Sequence, residues 1–300
     1  PLLSQHQVVL AHFKLVSSSL RAVAMDKLLN ANPSEFSDRA KLRLLQSCQP
    51  GAKHWLDYWT HWRAVAPRHA WARYALALWL GDEIPILAGA DDPSGRKILH
   101  DAHKTERHEE LVRLLCDIVL EGGGSVCRGG PACSIFEDGR RVDLVAKLRR
   151  ADRLFALDPT IRDGSADIYL NAPDALSVVI GAMQKAEATK KAHYFDCPDT
   201  HEFYPFAVGY QIELGDSARE FVAALAMELA FKDADGSEPN QGAINRATRH
   251  IMQRIGCCVM CSNARIIDNA IMKGGALPGH TTEGWAIHST WEHEECDFPA

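Results

Sequence analysis

A chain of 300 residues and 33.2 kDa has room for one large domain or two modest ones. With 46% apolar and 24% charged residues it has the composition of a folded globular protein, which excludes wholesale disorder, collagen and a coiled coil. Charge is unevenly spread within a net −6: residues 1–80 carry ten Lys/Arg against four Asp/Glu, while residues 274–300 carry five acids and no Lys or Arg.

A basic first third suits a phosphate-bearing partner, and equally a solvated helical surface, which is the more ordinary reading. No apolar run reaches the roughly eighteen residues of a membrane span, so no membrane partner is expected. The opening PLLSQHQVVL shows no basic start followed by an apolar core. A secretory signal is therefore not expected, and an intracellular protein is, cut from something longer since it begins at Pro1. Nine cysteines at irregular spacing are expected as free thiols.

Residues 4–30 place Val8, Val9, Phe13, Val16, Leu20, Val23 and Leu28 mostly three or four apart, as on one face of a helix. Residues 38–48, 52–65 and 68–80 also read as helices. The Trp55, Trp59 and Trp62 stripe reads as core rather than as a base-stacking platform. A Gly/Pro/Asp-rich break follows from Gly81 to Gly95. Residues 103–121 form the next helix, with Leu111, Leu114, Leu115, Ile118 and Val119 inward and Thr105 as its candidate cap.

The pattern changes after Glu121. A glycine turn leads to a strand near 125–128, and Asp138–Gly139 signals a hairpin. Strands are expected over Arg141–Leu148 and Arg153–Ile161, a helix over 174–195, a strand over Glu202–Tyr210 and a helix over 216–232. A polar linker (233–242) precedes one long helix over 243–272, and a loose acidic tail ends the chain. The organisation expected is a basic helical region (1–80), an α/β domain (81–235), and a C-terminal helix with its tail (236–300). Cys257-Cys258-x-x-Cys261 has metal-ligand residue types but sits in an apolar helical run, and the core reading is favoured. His280, His288, His293 and Cys296 likewise lack a recognised ligand spacing.

The chemistry concentrates in 140–160, RRVDLVAKLRRADRLFALDPT. Asp143 and Asp158 interrupt apolar strands, with fourteen residues between them. Two adjacent strands joined by a tight turn would bring both carboxylates to one end of a sheet. A carboxylate there is costly unless paired or metal-bound. Two that converge make an oxygen-rich site suited to Mg²⁺ or Mn²⁺, which can activate water and stabilise a phosphodiester transition state. Two surface acids at strand ends are the competing reading.

Several motifs, in order, extend this picture. Arg107-His108-Glu109 opens a helix, Arg141-Val142-Asp143 leads to Asp158-Pro159-Thr160, and AEATKKAHY runs from Ala186 to Tyr194. EFYPFAVGY and QRIGCCVMCSNARII follow. Over roughly 36–270 the chain resembles the restriction-like endonuclease region, of the PD-(D/E)xK superfamily, that follows reverse transcriptase in R2-like non-LTR retrotransposons. That family's pattern is Lys/Arg-Pro-Asp, a spacer of about a dozen residues, then Asp/Glu, with an Arg-His-Asn motif on the preceding helix. Its Phe-x-Pro-x-Ala strand and Asn-Ala-Arg segment match the last two stretches.

The resemblance implies an α/β (α+β) fold with a small mixed sheet of about four strands flanked by helices. It implies a DNA endonuclease with Asp143 and Asp158 as metal ligands and Mg²⁺ or Mn²⁺ as cofactor. Thr160 stands where the superfamily usually keeps lysine, so Lys190, with Lys191 as second choice, is expected to supply the cation. Arg107, His108 and Arg141 become candidate DNA contacts, Arg107 and His108 alternatively as buttresses of the site. DNA is the implied partner, with RNA and a reverse transcriptase domain of the same polyprotein beside it, and the location is nuclear.

The chain also departs from the family. Val142 replaces the proline, Glu109 the asparagine, and Gly129 or Gly130 an acidic residue. The stretch ILAGADDPSGRKILHDAH lacks the cysteines of a zinc knuckle, and His100 and His103 alone cannot close a tetrahedral site, so no zinc is expected. These departures support a second hypothesis, a non-catalytic nucleic-acid-binding or assembly module on the same fold. A third ignores the resemblance: a helical scaffold with a small α/β insert. Carboxylates within about 5 Å of each other, close enough to share a cation, favour the nuclease.

Overall fold

A computed structural model describes residues 104–164, 166, 180–234 and 237–273, with a few isolated positions before them (42, 45, 46, 74, 75, 78, 98 and 99). Those at 42–46 and 74–78 are helical, within the stretches 38–48 and 68–80. The remaining expectations for residues 1–103, the start of the 174–195 helix and the tail after 273 lie outside the described residues.

Among the described residues from 104 on, four helices and four strands follow in order: α1 (Lys104–Glu121), β1 (Ser125–Arg128), β2 (Leu144–Lys147), β3 (Leu154–Arg162), α2 (Gly181–His193), β4 (His201–Gly209), α3 (Asp216–Asp233) and α4 (Gln241–Lys273). The sheet is mixed, in the order β1-β2-β3-β4, with β1–β2 and β2–β3 antiparallel and β3–β4 parallel. A parallel pair needs a crossover connection, and α2 lies in it. The structure thus has the α/β form expected, a four-stranded mixed sheet flanked by helices.

Side-chain alternation sorts the strands into two faces. Leu144, Ala146, Phe155, Leu157, Phe206 and Val208 point to one side and join the main core with Leu111, Leu115 and Ile118 of α1, Phe221 and Leu225 of α3, and Ile251, Ile255 and Val259 of α4. Val145 and Ala156 point the other way, against Tyr194 just past α2, and Ala207 meets Ala182, Met183 and Ala186 of α2. Helix α4 therefore shares the core of the sheet.

Local differences from the sequence expectations have physical causes. Strand β2 is only Leu144–Lys147, because the Asp138–Gly139 turn closes no tight hairpin. It sits in a long β1–β2 loop that also contains a 3-10 turn at Pro131–Cys133. Thr105 lies inside α1 rather than capping it. Pro159 is tolerated within β3 because β2 pairs only with Phe155–Leu157, so its missing N–H removes no bond from that side. Pro205 is in β4, an edge strand, where proline is permitted. Cys257 is buried in α4, and burial pushes the Cys257, Cys258 and Cys261 thiols up.

Candidate active site

Strand register brings the two acidic residues together. Leu144 faces Leu157 across the antiparallel β2–β3 pair, and one further step along the same register sets Asp143 opposite Asp158. The Asp143 N–H still donates to the Leu157 carbonyl at 3.1 Å, holding the residue at the strand's edge. By alternation both side chains leave the sheet on the α2 side, and their carboxyl groups are in hydrogen-bonding contact.

Each carboxyl also has a basic partner. Lys190 of α2 donates from Nζ to Asp158 Oδ2 at 2.7 Å, and His108 Nε2 of α1 lies 3.3 Å from Asp143 Oδ2. The site is therefore a row, His108–Asp143–Asp158–Lys190, with the acids inside. Its depth is graded: the Asp158 side chain is 6% exposed and the Asp143 side chain 34%. Asp143 is the face the site presents to solvent.

The two acids differ accordingly. Burial, then contact with Asp143, pushes the Asp158 carboxyl up, against the pull of Lys190. Burial also acts upward on Asp143, but the hydrogen bonds from His108 and Asp158 outweigh it and hold the carboxyl below its ordinary value. The hydrogen bond to Asp143 raises His108 against its own burial. Two carboxylates in contact cannot both ionise without cost, and Lys190 and His108 offset part of that cost.

Tyr194 completes the inner wall. Its hydroxyl donates to the Arg141 carbonyl at 2.8 Å, and its ring packs on Phe136 and Phe203 at centroid distances of 5.1 and 4.6 Å. Burial, then the charge of Asp158, pushes its phenol up. Arg140 lies over the Phe136 ring at 4.7 Å and pairs with Asp196 just beyond α2. The loop leading to Asp143 is thus tied to the end of the helix carrying Lys190.

The other sequence candidates divide. Arg141 is exposed and, with Glu109, Val112, Arg128, Gly129, Val142 and Asp143, lines a cleft of about 420 Å³. Lys191 is exposed, and its charge acts on the Glu187 carboxyl. Arg107 is 3% exposed and does not serve as a surface DNA contact. Its guanidinium donates to Asn263 Oδ1 of α4 at 2.7 Å and to the Tyr210 hydroxyl at 3.1 Å, and stacks on the Tyr210 ring. Successive helical residues point about 100° apart, so Arg107 turns into the core while His108 turns to the site.

Asn263 and Tyr194 were not singled out as site residues by sequence. For Tyr194 the available signal was its spacing, one helical turn after Lys190. Asn263 stands in the Asn-Ala-Arg segment, but nothing local in the sequence shows that its partner lies 156 positions away.

The acid pair fits a divalent cation by its donor chemistry: hard oxygen ligands in contact, whose mutual repulsion a cation would relieve. Among the described residues, no cluster of three or more His, Cys, Asp or Glu side chains is arranged to hold a metal. The protein would supply two carboxylates, and water or substrate oxygens the rest, a pattern suited to Mg²⁺ rather than zinc. No helix among the described residues is long and apolar enough to cross a membrane. Comparison with known proteins adds no relative: no family model matches the chain, and no curated protein matches it.

Proposed function

We propose that this chain is a metal-dependent DNA endonuclease module of a retroelement polyprotein, nicking target DNA to leave a 3′-hydroxyl for reverse transcription. The observation that carries it is the placement of Asp143 against Asp158 with Lys190 on Asp158. The sequence resemblance names Asp143 and Asp158, with Lys190 as first choice and Lys191 as second for the cation. DNA is the substrate, RNA and a reverse transcriptase domain of the same polyprotein are further partners, and the nucleus is the place of action.

Asp143 and Asp158 would hold Mg²⁺ or Mn²⁺, which supplies Lewis-acid activation of water and charge stabilisation at the phosphate. Lys190 holds the deeper carboxylate in place and keeps a positive charge beside the developing phosphorane. His108 orients Asp143 from the outer side. Tyr194 fixes the backbone at Arg141, two residues before Asp143, and so sets where that carboxyl stands.

The second reading, a catalytically decayed nucleic-acid-binding or assembly module, has one structural observation in its favour. Both carboxyls already have basic partners within the protein, so the row is internally balanced without a metal. Plasmid nicking separates the two. The full chain is incubated with supercoiled DNA and Mg²⁺ or Mn²⁺, beside Asp143→Ala and Asp158→Ala, with circular dichroism reporting folding. Nicking by the wild type that both folded variants lose by about 100-fold or more is the expected result. Folded wild type that binds DNA without nicking it in either metal sinks the nuclease and leaves the binding module.

A further inference from the structure

Beside the acid pair, the cleft lined by Glu109, Val112, Arg128, Gly129, Arg141, Val142 and Asp143 has a use that the row of four does not exhaust. Its volume of about 420 Å³ falls at the lower end of small-ligand sites, roughly 300–1,000 Å³, enough for about one nucleotide and too small for a duplex. One end is Asp143 itself, so whatever fills the cleft abuts the acid pair.

Two arginines reach the cleft, Arg128 from β1 and Arg141 from the loop before β2. Between them the backbone is bare. Gly129 and Gly130 both have left-handed φ, 62° and 70°, and no atom lies within 4 Å of where a Cβ would stand at either. Paired glycines in that conformation let a ligand approach the main chain closely. Val112 and Val142 are buried and form the floor of the cleft, so its exposed walls are the polar side chains and the glycine backbone. A phosphodiester of one nucleotide matches these cationic and bare walls in charge and size.

One group works against that occupant. Glu109 of α1 makes an ion pair with Arg128 at the cleft. Their side chains are 50% and 42% exposed, so the pair is solvated and readily exchanged. An incoming phosphate must compete with the Glu109 carboxylate for Arg128.

We propose that this cleft seats one nucleotide of the DNA strand next to the cut, its phosphate held by Arg128 and Arg141, and that Glu109 limits the affinity by occupying Arg128. The occupant's identity as DNA rests on the endonuclease reading of the adjacent acids. The geometry of the competition does not.

The test is binding of a short fluorescein-labelled single-stranded DNA to the full chain, read by anisotropy in Ca²⁺ across a salt series. The variants are Glu109→Gln, Arg128→Gln, Arg141→Gln and the double variant Glu109→Gln/Arg128→Gln, each checked for an unchanged thermal melt. Glu109→Gln is expected to tighten binding about 3- to 10-fold, from one released charge contact. Arg128→Gln should abolish that gain in the double variant. Arg141→Gln should weaken binding, and flatten the salt slope by about one ion. Tightening of less than twofold in Glu109→Gln, or tightening that survives intact in the double variant, overturns the proposal. So does an absence of DNA binding throughout. Because binding is read without cutting, the coupling can hold in a protein that never nicks, and nicking can occur where the coupling is absent. The two readings therefore fail separately.

Discussion

Lys190 and Lys191 are neighbours in the chain with different surroundings, one on Asp158 at 2.7 Å and the other in solvent. Lys190→Ala is expected to lower plasmid nicking by about 100-fold, the scale of removing one charge-stabilising donor. Lys191→Ala should leave it near wild type. Equal losses from both would show that Lys190's contact with Asp158 has no special part in the chemistry. Glu213 offers a prediction independent of activity. It is 1% exposed, neither carboxyl oxygen has a hydrogen-bond partner among the described residues, and burial pushes its carboxyl from 4.5 up to about 8. Between those values the folded protein keeps a proton that the unfolded chain has released. Stability therefore falls as pH rises through that window and levels off above it. Chemical denaturation from pH 5 to about 9 should show a decline on the order of 4 kcal/mol, and Glu213→Gln should flatten it. A flat wild-type profile would contradict the burial.

At the scale of elements, α3 starts without a side-chain cap of its own, at Gly215. Glu187 of α2 does the work from a neighbouring helix, accepting the Ser217 and Ala218 N–H groups at 3.1 Å each. Glu187→Ala leaves those donors unpaired in a buried setting, at a cost of about 1–2 kcal/mol. Since Glu187 lies one turn before Lys190 on the same helix, the loss should also loosen the lysine. A lower thermal midpoint together with slower nicking is the expected pair of changes, and an unchanged midpoint would show that the cap contributes nothing. The turn after β4 is equally tight. A Cβ at Gly209 would stand 1.9 Å from the Glu213 carboxyl carbon, so Gly209→Ala should destabilise by about 1–3 kcal/mol through overpacking, measured by denaturant titration. Helices α1 and α4 are tied by Arg107 to Asn263 and by Arg265 to Glu106 and Glu110. That binding of long-range partners explains why Arg-His on α1 and Asn-Ala-Arg on α4, unremarkable by themselves, sit in one chain.

Across the whole molecule, the sheet acts as the frame and its two faces divide the labour. One face joins α1, α3 and α4 in the main core, and the other carries the acid pair toward α2. The existence and order of the described helices and strands were legible in the sequence, because helical and strand periodicities are local patterns of apolar residues. The spacing of Asp143 and Asp158 was legible for the same reason: strand alternation and antiparallel register are counted along the chain. What the sequence could not supply was rotation and distance between elements packed from far-separated segments. Only the tertiary structure decided that Lys190 rather than Lys191 meets Asp158, that Arg107 turns inward while His108 meets Asp143, and that Glu109 faces Arg128 across a cleft. Each depends on how a helix is rolled against the sheet, where a step of one residue turns a side chain by about 100°. The sequence by itself determined which residues could carry the chemistry, and packing determined which of them meet.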